Sequence, residues 1–208
     1  MSLTFNIRLF TWLAITFIVA TIIGTFSHEC GHYIVAKLLG YKAELHYASV
    51  SYLPLTKEQV YNQLNKILIR AAGPLQTIIT GTIGFLLLCK YDKHLASSNQ
   101  ISIRSWILIF LSLFWLRQVT NLVVLIAQYI FKGSLTDRDD ESRISLFFQM
   151  PSWVVLGITG LIGTCILCVI IFRFLPVRYR FTFMTAGLIG GIAGYFIWLI
   201  WLGKFILP

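Results

Sequence analysis

Residues 9–39 read LFTWLAITFIVATIIGTFSHECGHYIVAKLL. Through Phe26 this run carries no charge, the pattern of a helix in a bilayer, where about 20 largely apolar residues cross the hydrocarbon. His28, Glu29 and His32 then interrupt it. Ionisable groups inside a membrane cost about 2.5–3.5 kcal/mol each on insertion scales, so their presence marks function. On a helix, residues four apart share a face, which stacks the imidazoles of His28 and His32 with Glu29 beside them. His-Glu-x-x-His in this form supplies two nitrogens to Zn²⁺ at about 2.0–2.1 Å, with the glutamate free to act as a base toward water. Gly31 leaves room for a neighbouring helix or a substrate. The run exceeds a simple span, so it is expected to tilt, to kink near Gly24 or to reach past the bilayer.

Composition extends this reading to the whole chain. Of 208 residues, 57% are hydrophobic and only 12% charged, against about 25% charged in soluble domains. The mean hydropathy is +0.79. The expectation is an all-α, multi-pass integral membrane protein in a cell membrane, with residues 1–208 forming one membrane domain and the lipid bilayer as its surroundings. The net charge of +9 does not point to nucleic acid, because the basic residues are scattered through short connections; anionic lipid headgroups account for them. Cys30, Cys89, Cys165 and Cys168 sit in or at the end of apolar runs and read as packing residues. No small-residue cleavage site separates the first run from the His-Glu motif, so the first helix is expected to be retained.

Four more spans are predicted at residues 67–88, 106–131, 154–175 and 183–206, with Trp12, Tyr91, Trp106, Tyr129, Trp153 and Tyr195, Trp198 or Trp201 as interface anchors. Tyr179 falls in the loop before the fifth. Five spans put the termini on opposite sides, and the basic residues divide almost evenly between the sides, so charge assigns no orientation. Residues 43–53, rich in Tyr, Val and Ser, partly alternating and closed by Pro54, read as one or two short strands. The connection 132–152 holds an acidic cluster, Asp137, Asp139, Asp140 and Glu141.

A catalytic zinc takes three protein ligands and keeps one position open. His94 lies in a polar loop at the far end of the second span. His46, in the strand segment, reads as a surface or substrate-contact residue. The acidic cluster is the better source of a third ligand, with Asp139 and Arg138 read as solvated.

His28-Glu29-Cys30-Gly31-His32 followed by Gly40 resembles the motif helix of the site-2 protease family of intramembrane zinc metalloproteases, in its compact form. Ala72-Gly73-Pro74-Leu75 resembles the stretch that opens the family's next span. Asn121-Leu122, then Asp140-Glu141-Ser142-Arg143-Ile144 with Met150-Pro151, resembles its third region. The resemblance covers about residues 20–151; the last two spans carry none of it. It implies that His28, His32 and Asp140 ligate one zinc ion per chain, that Glu29 is the catalytic base, and that an unwound substrate adds as a strand to the edge of the strand segment. Two departures stand out. Asp140 precedes Glu141 rather than glycine, which leaves Asp137 as the alternate third ligand, and Thr77 stands where an asparagine often occurs. Asn121 is a candidate substrate-binding residue, or a polar link between helices. Arg117, four residues earlier, reads as a carboxylate partner or a snorkelling side chain without a catalytic role.

The expected function is a zinc metalloendopeptidase that hydrolyses membrane-embedded or membrane-proximal peptides. Residues 1–151 form its metalloprotease-like core and 152–208 two additional helices. The alternatives are an inactive zinc-binding membrane protein that retains partner helices and, behind it, a transporter.

Overall fold

A computed structural model describes residues 5–93, 95–98, 100–135 and 139–208, with Tyr61 described by its backbone alone. Among the described residues five helices are long and apolar enough to cross a membrane, so the chain is an all-α polytopic membrane protein.

The first, α1 (Ile7–Leu38), starts at Asn6, whose side chain accepts from the Leu9 amide, and runs unbroken through Gly24. At about 1.5 Å per residue it is about 48 Å long against a hydrocarbon core of about 30 Å, so it tilts or protrudes. It stops at Gly40, whose φ of 80° is one that a side chain disfavours. The chain then forms a hairpin of β1 (Lys42–Leu45) and β2 (Val50–Leu53), antiparallel with Ala43 opposite Tyr52. The strand segment of the sequence is therefore two strands. Tyr41 and Ala43 bury against Ala36 and Ile69, which seats the hairpin on the end of the motif helix.

A short helix α2 (Lys57–Tyr61), opened by a Thr56–Gln59 capping box, leads into α3 (Gln63–Tyr91), the second span. The third consists of α4 (Ile103–Ser112), a 3₁₀ turn Leu113–Trp115 and α5 (Leu116–Lys132). The connection 132–152 is not an irregular loop throughout: it holds α6 (Asp140–Phe147). The fourth span is α7 (Val154–Val169) continued by a π turn through Phe174. The fifth is α8 (Val177–Phe196), a π turn Ile197–Leu202 and α9 (Gly203–Ile206).

The fifth span starts at Val177 rather than at residue 183, so Arg178, Tyr179 and Arg180 are helical and not in a loop. Three basic or aromatic polar residues look like a connection in sequence. In the fold, Arg180 donates from Nε to the Leu175 carbonyl at 3.0 Å and from Nη2 to the Phe172 carbonyl at 2.7 Å. Those carbonyls end the fourth span and need donors, which a basic side chain supplies.

Helices meet where side chains are smallest. On α8, a Cβ at Gly194 would lie 2.9 Å from Thr21 Cβ, so α1 and α8 approach backbone to backbone. The main core joins Leu13 and Phe17 of α1 to Trp106 and Ile109 of α4, Phe174 of the fourth span and Phe183 of α8. Trp106 and Trp198, read from sequence as interface anchors, are instead buried. The Trp198 indole donates to the Tyr47 carbonyl at 2.8 Å, and Tyr47 in turn donates its amide to Leu207, so the hairpin tip is tied to the end of the fifth span.

Candidate metal centre

Three donor atoms from α1 and α6 converge in the interior. His28 Nε2 and His32 Nε2 are 3.1 Å apart. Asp140 Oδ2 lies 3.4 Å from the first and 3.2 Å from the second. Among the described residues this is the group of His, Cys, Asp and Glu placed to hold a metal ion. A tetrahedral ion with ligands at about 2.0–2.1 Å sets neighbouring ligand atoms about 3.3 Å apart, so the triangle fits zinc on its edge lengths alone.

Proton placement supports the fit. His32 Nδ1 lies 2.7 Å from the Ile69 carbonyl. A carbonyl only accepts, so Nδ1 carries the proton and Nε2 turns its lone pair to the triangle. The Asp140 carboxylate, the His32 lone pair and His28 Nε2 meeting at one point call for a cation.

Neighbouring backbone sets the space around the ligands. His28 and His32 lie in α1 against Gly73 of α3; a Cβ there would stand 2.7 Å from His28 Nε2 and 2.6 Å from His32 Cε1. Gly31 faces the same helix, where a Cβ would be 2.7 Å from the Ala72 carbonyl oxygen. Gly73 and Gly31 thus set the α1–α3 spacing at which the imidazoles fit.

Asp140 opens α6, where a carboxylate also meets the positive end of the helix dipole. Asp139 is the N-cap residue, and its Oδ2 accepts from Ser142 at 2.6 Å. Ser145, fully buried, donates to the Glu141 carbonyl at 3.0 Å and accepts from the Val155 amide at 3.0 Å, which fixes α6 to α7. Glu141, also buried, is raised above the usual carboxylate range by that burial.

Glu29 is 7% exposed and lines a cavity of about 310 Å³ together with Thr77, Arg117, Asn121 and Ala48 of the hairpin turn. Glu29 and Asn121 therefore share a chamber. His46 is elsewhere: its Nδ1 donates to the Pro208 carbonyl and its Nε2 pairs with Ser51 Oγ at 3.1 Å. Asp137, Arg138 and His94 lie outside the described residues. Sequence reasoning missed the Ile69 carbonyl, which is backbone and leaves no mark in side-chain identity. It also passed over the contact of Gly73 with the imidazoles, whose signal was the Gly-Pro pair opening the second span.

A family model described as Peptidase M50B-like matches residues 3–156. The chain belongs to that family and thus to the site-2 protease relatives its motifs resemble. No curated protein and no solved structure gives a match.

Proposed function

We propose that this Peptidase M50B-like protein is a zinc-dependent intramembrane endopeptidase of a cell membrane that cleaves membrane-embedded or membrane-proximal peptides. The observation that carries the reading is the triangle of His28, His32 and Asp140, with edges of 3.1–3.4 Å, next to a buried carboxylate that has no place in it. A structural site needs no adjacent base; a hydrolytic one does.

His28, His32 and Asp140 would hold one zinc ion per chain. Bound there, zinc supplies Lewis acidity, which acidifies water and polarises a carbonyl. Glu29 accepts a proton from the attacking water and delivers it to the leaving amine. Asn121, on the cavity wall with Glu29, offers an amide to the substrate backbone. The hairpin offers its free edge to an extended peptide, since a helical substrate hides its peptide bonds until it unwinds. In this reading residues 1–151 form the catalytic core of a single membrane domain, and the last two spans support it.

The test is Glu29→Gln against Asp140→Asn, each assayed for zinc content and for cleavage of a panel of co-expressed single-span proteins. Glu29→Gln is expected to keep zinc and lose cleavage, and Asp140→Asn to lose both. Full cleavage by Glu29→Gln would refute the assigned base. A wild-type protein that holds zinc but cleaves nothing would favour a binding role.

A further inference from the structure

The sequence reading left Arg117 without a task, and the fold gives it an unusual position. It is the second residue of α5, just past the 3₁₀ turn in the middle of the continuous third span. A charge there is costly. Among the described residues the buried Arg117 Nε has no hydrogen-bond partner and Arg117 forms no ion pair. Arg117 lines the same cavity as Glu29, with Asn121 one turn further along α5. Its charge reaches Glu29 and Glu141 electrostatically. A snorkelling arginine would direct its head to water; this one has its Nε buried and lines the chamber of the candidate base.

We propose that Arg117 is a catalytic residue whose guanidinium stabilises the oxyanion formed when water adds to the scissile carbonyl. This inference rests on the protease reading above. In the step, the water oxygen bonds to the carbonyl carbon, the C–O π pair withdraws onto oxygen, and a proton passes to Glu29. The amide nitrogen then leaves with the C–N pair and takes that proton, so that water and peptide become acid and amine. Negative charge exists on the former carbonyl oxygen only in between. A cation held ready at that point lowers the barrier because it pairs with that charge and needs no reorganisation. The guanidinium presents up to five donors in a rigid fork, and among the described residues its Nε–H has no acceptor and is available to a substrate oxygen. Asn121 is placed to hold the neighbouring substrate backbone so that the carbonyl meets the fork.

The experiment uses full-length protein in nanodiscs, with Arg117→Gln and Arg117→Lys beside the wild type. Three quantities are read: bound zinc, kinetics on dye-quenched single-span peptides, and the affinities of two dipeptide inhibitors. One inhibitor is a planar hydroxamate; the other is a phosphonamidate whose tetrahedral anion imitates the intermediate. Arg117→Gln is expected to keep stoichiometric zinc and hydroxamate affinity. It should lose about 10²–10³ in kcat with KM nearly unchanged, and lose phosphonamidate affinity in parallel. Arg117→Lys, which keeps the charge without the fork, should fall between.

An active wild type matched by Arg117→Gln in kcat and phosphonamidate affinity overturns the role of Arg117 and leaves the protease reading standing. Loss of zinc or of folding in both variants makes Arg117 a structural support and also overturns it. A wild type that holds zinc yet cleaves no peptide and binds neither inhibitor brings down the protease reading, and this inference with it.

Discussion

Replacing Gly73 with alanine tests the centre through one methyl group. The new Cβ would stand 2.7 Å from His28 Nε2 and 2.6 Å from His32 Cε1, against an ordinary carbon contact of about 3.5 Å. The rings, or the α1–α3 pair, must yield by at least about 0.9 Å, because His32 Nε2 is nearer still. Ring rotation is blocked at His32 by the 2.7 Å bond to the Ile69 carbonyl. A metal site tolerates about 0.2 Å in its ligand distances, so the required shift exceeds tolerance several-fold. Overpacking of this kind costs about 1–3 kcal/mol, which the five-helix fold survives. Disturbing the groups that orient metal ligands costs about 10–100-fold in affinity, and we predict at least that loss in Gly73→Ala. The assay is a competitive chelator titration of purified protein in detergent, with circular dichroism to check helicity. A folded Gly73→Ala protein that binds zinc as tightly as wild type would refute the argument that this glycine sets the space for the imidazoles.

Other predictions address the supports of the site. Ser145→Ala leaves the Val155 amide without its acceptor, and should lower stability by about 1–3 kcal/mol in detergent denaturation while helix content stays the same; an unchanged midpoint would show that α6 is not anchored there. Glu141 has a folded pKa raised above its unfolded value by burial, so the stability tied to its neutral form is full below the ordinary glutamate range and lost as pH rises through the folded value. Glu141→Gln should therefore flatten the fall in apo-protein stability with rising pH, seen as a higher melting temperature at pH 7 than wild type and little difference near pH 4. Trp198→Phe removes the donor to the Tyr47 carbonyl, for about 0.5–1.5 kcal/mol, and should speed hydrogen exchange at residues 46–53 without altering zinc affinity.

Long apolar runs and two histidines four apart were legible because each is a local pattern. Periodicity and length alone define the spans, and the hairpin followed from β-branched and aromatic residues closed by Pro54. Elements whose reason is tertiary were not. Arg178 and Arg180 look like a loop until Arg180 is seen to supply donors to the carbonyls of the preceding span. Asp140–Phe147 has too little apolar periodicity to read as a helix; buried Ser142 and Ser145 and the adjoining α7 stabilise it. Trp198 carries the composition of an interface anchor, and only the hairpin tip reveals its partner. At the candidate centre, sequence supplied the histidines and a choice of acidic residues, whereas the convergence of Asp140 on both imidazoles depends on a fold that joins segments more than a hundred positions apart.

That separation has a consequence for biogenesis. Protein synthesis proceeds at about 5–20 residues per second, so Asp140 emerges roughly 6–22 s after His28. During that interval the nascent chain carries two imidazoles and a carboxylate base in a membrane crowded with other inserting helices, but the donor set of the proposed hydrolase lacks its third corner. Activity then waits for the third span to insert and for the segment after it to fold back. If the proposed assignment holds, such a hydrolase would be silent while its own helices are unpacked and vulnerable, and ribosome order would do the work that a removable pro-segment does in secreted proteases.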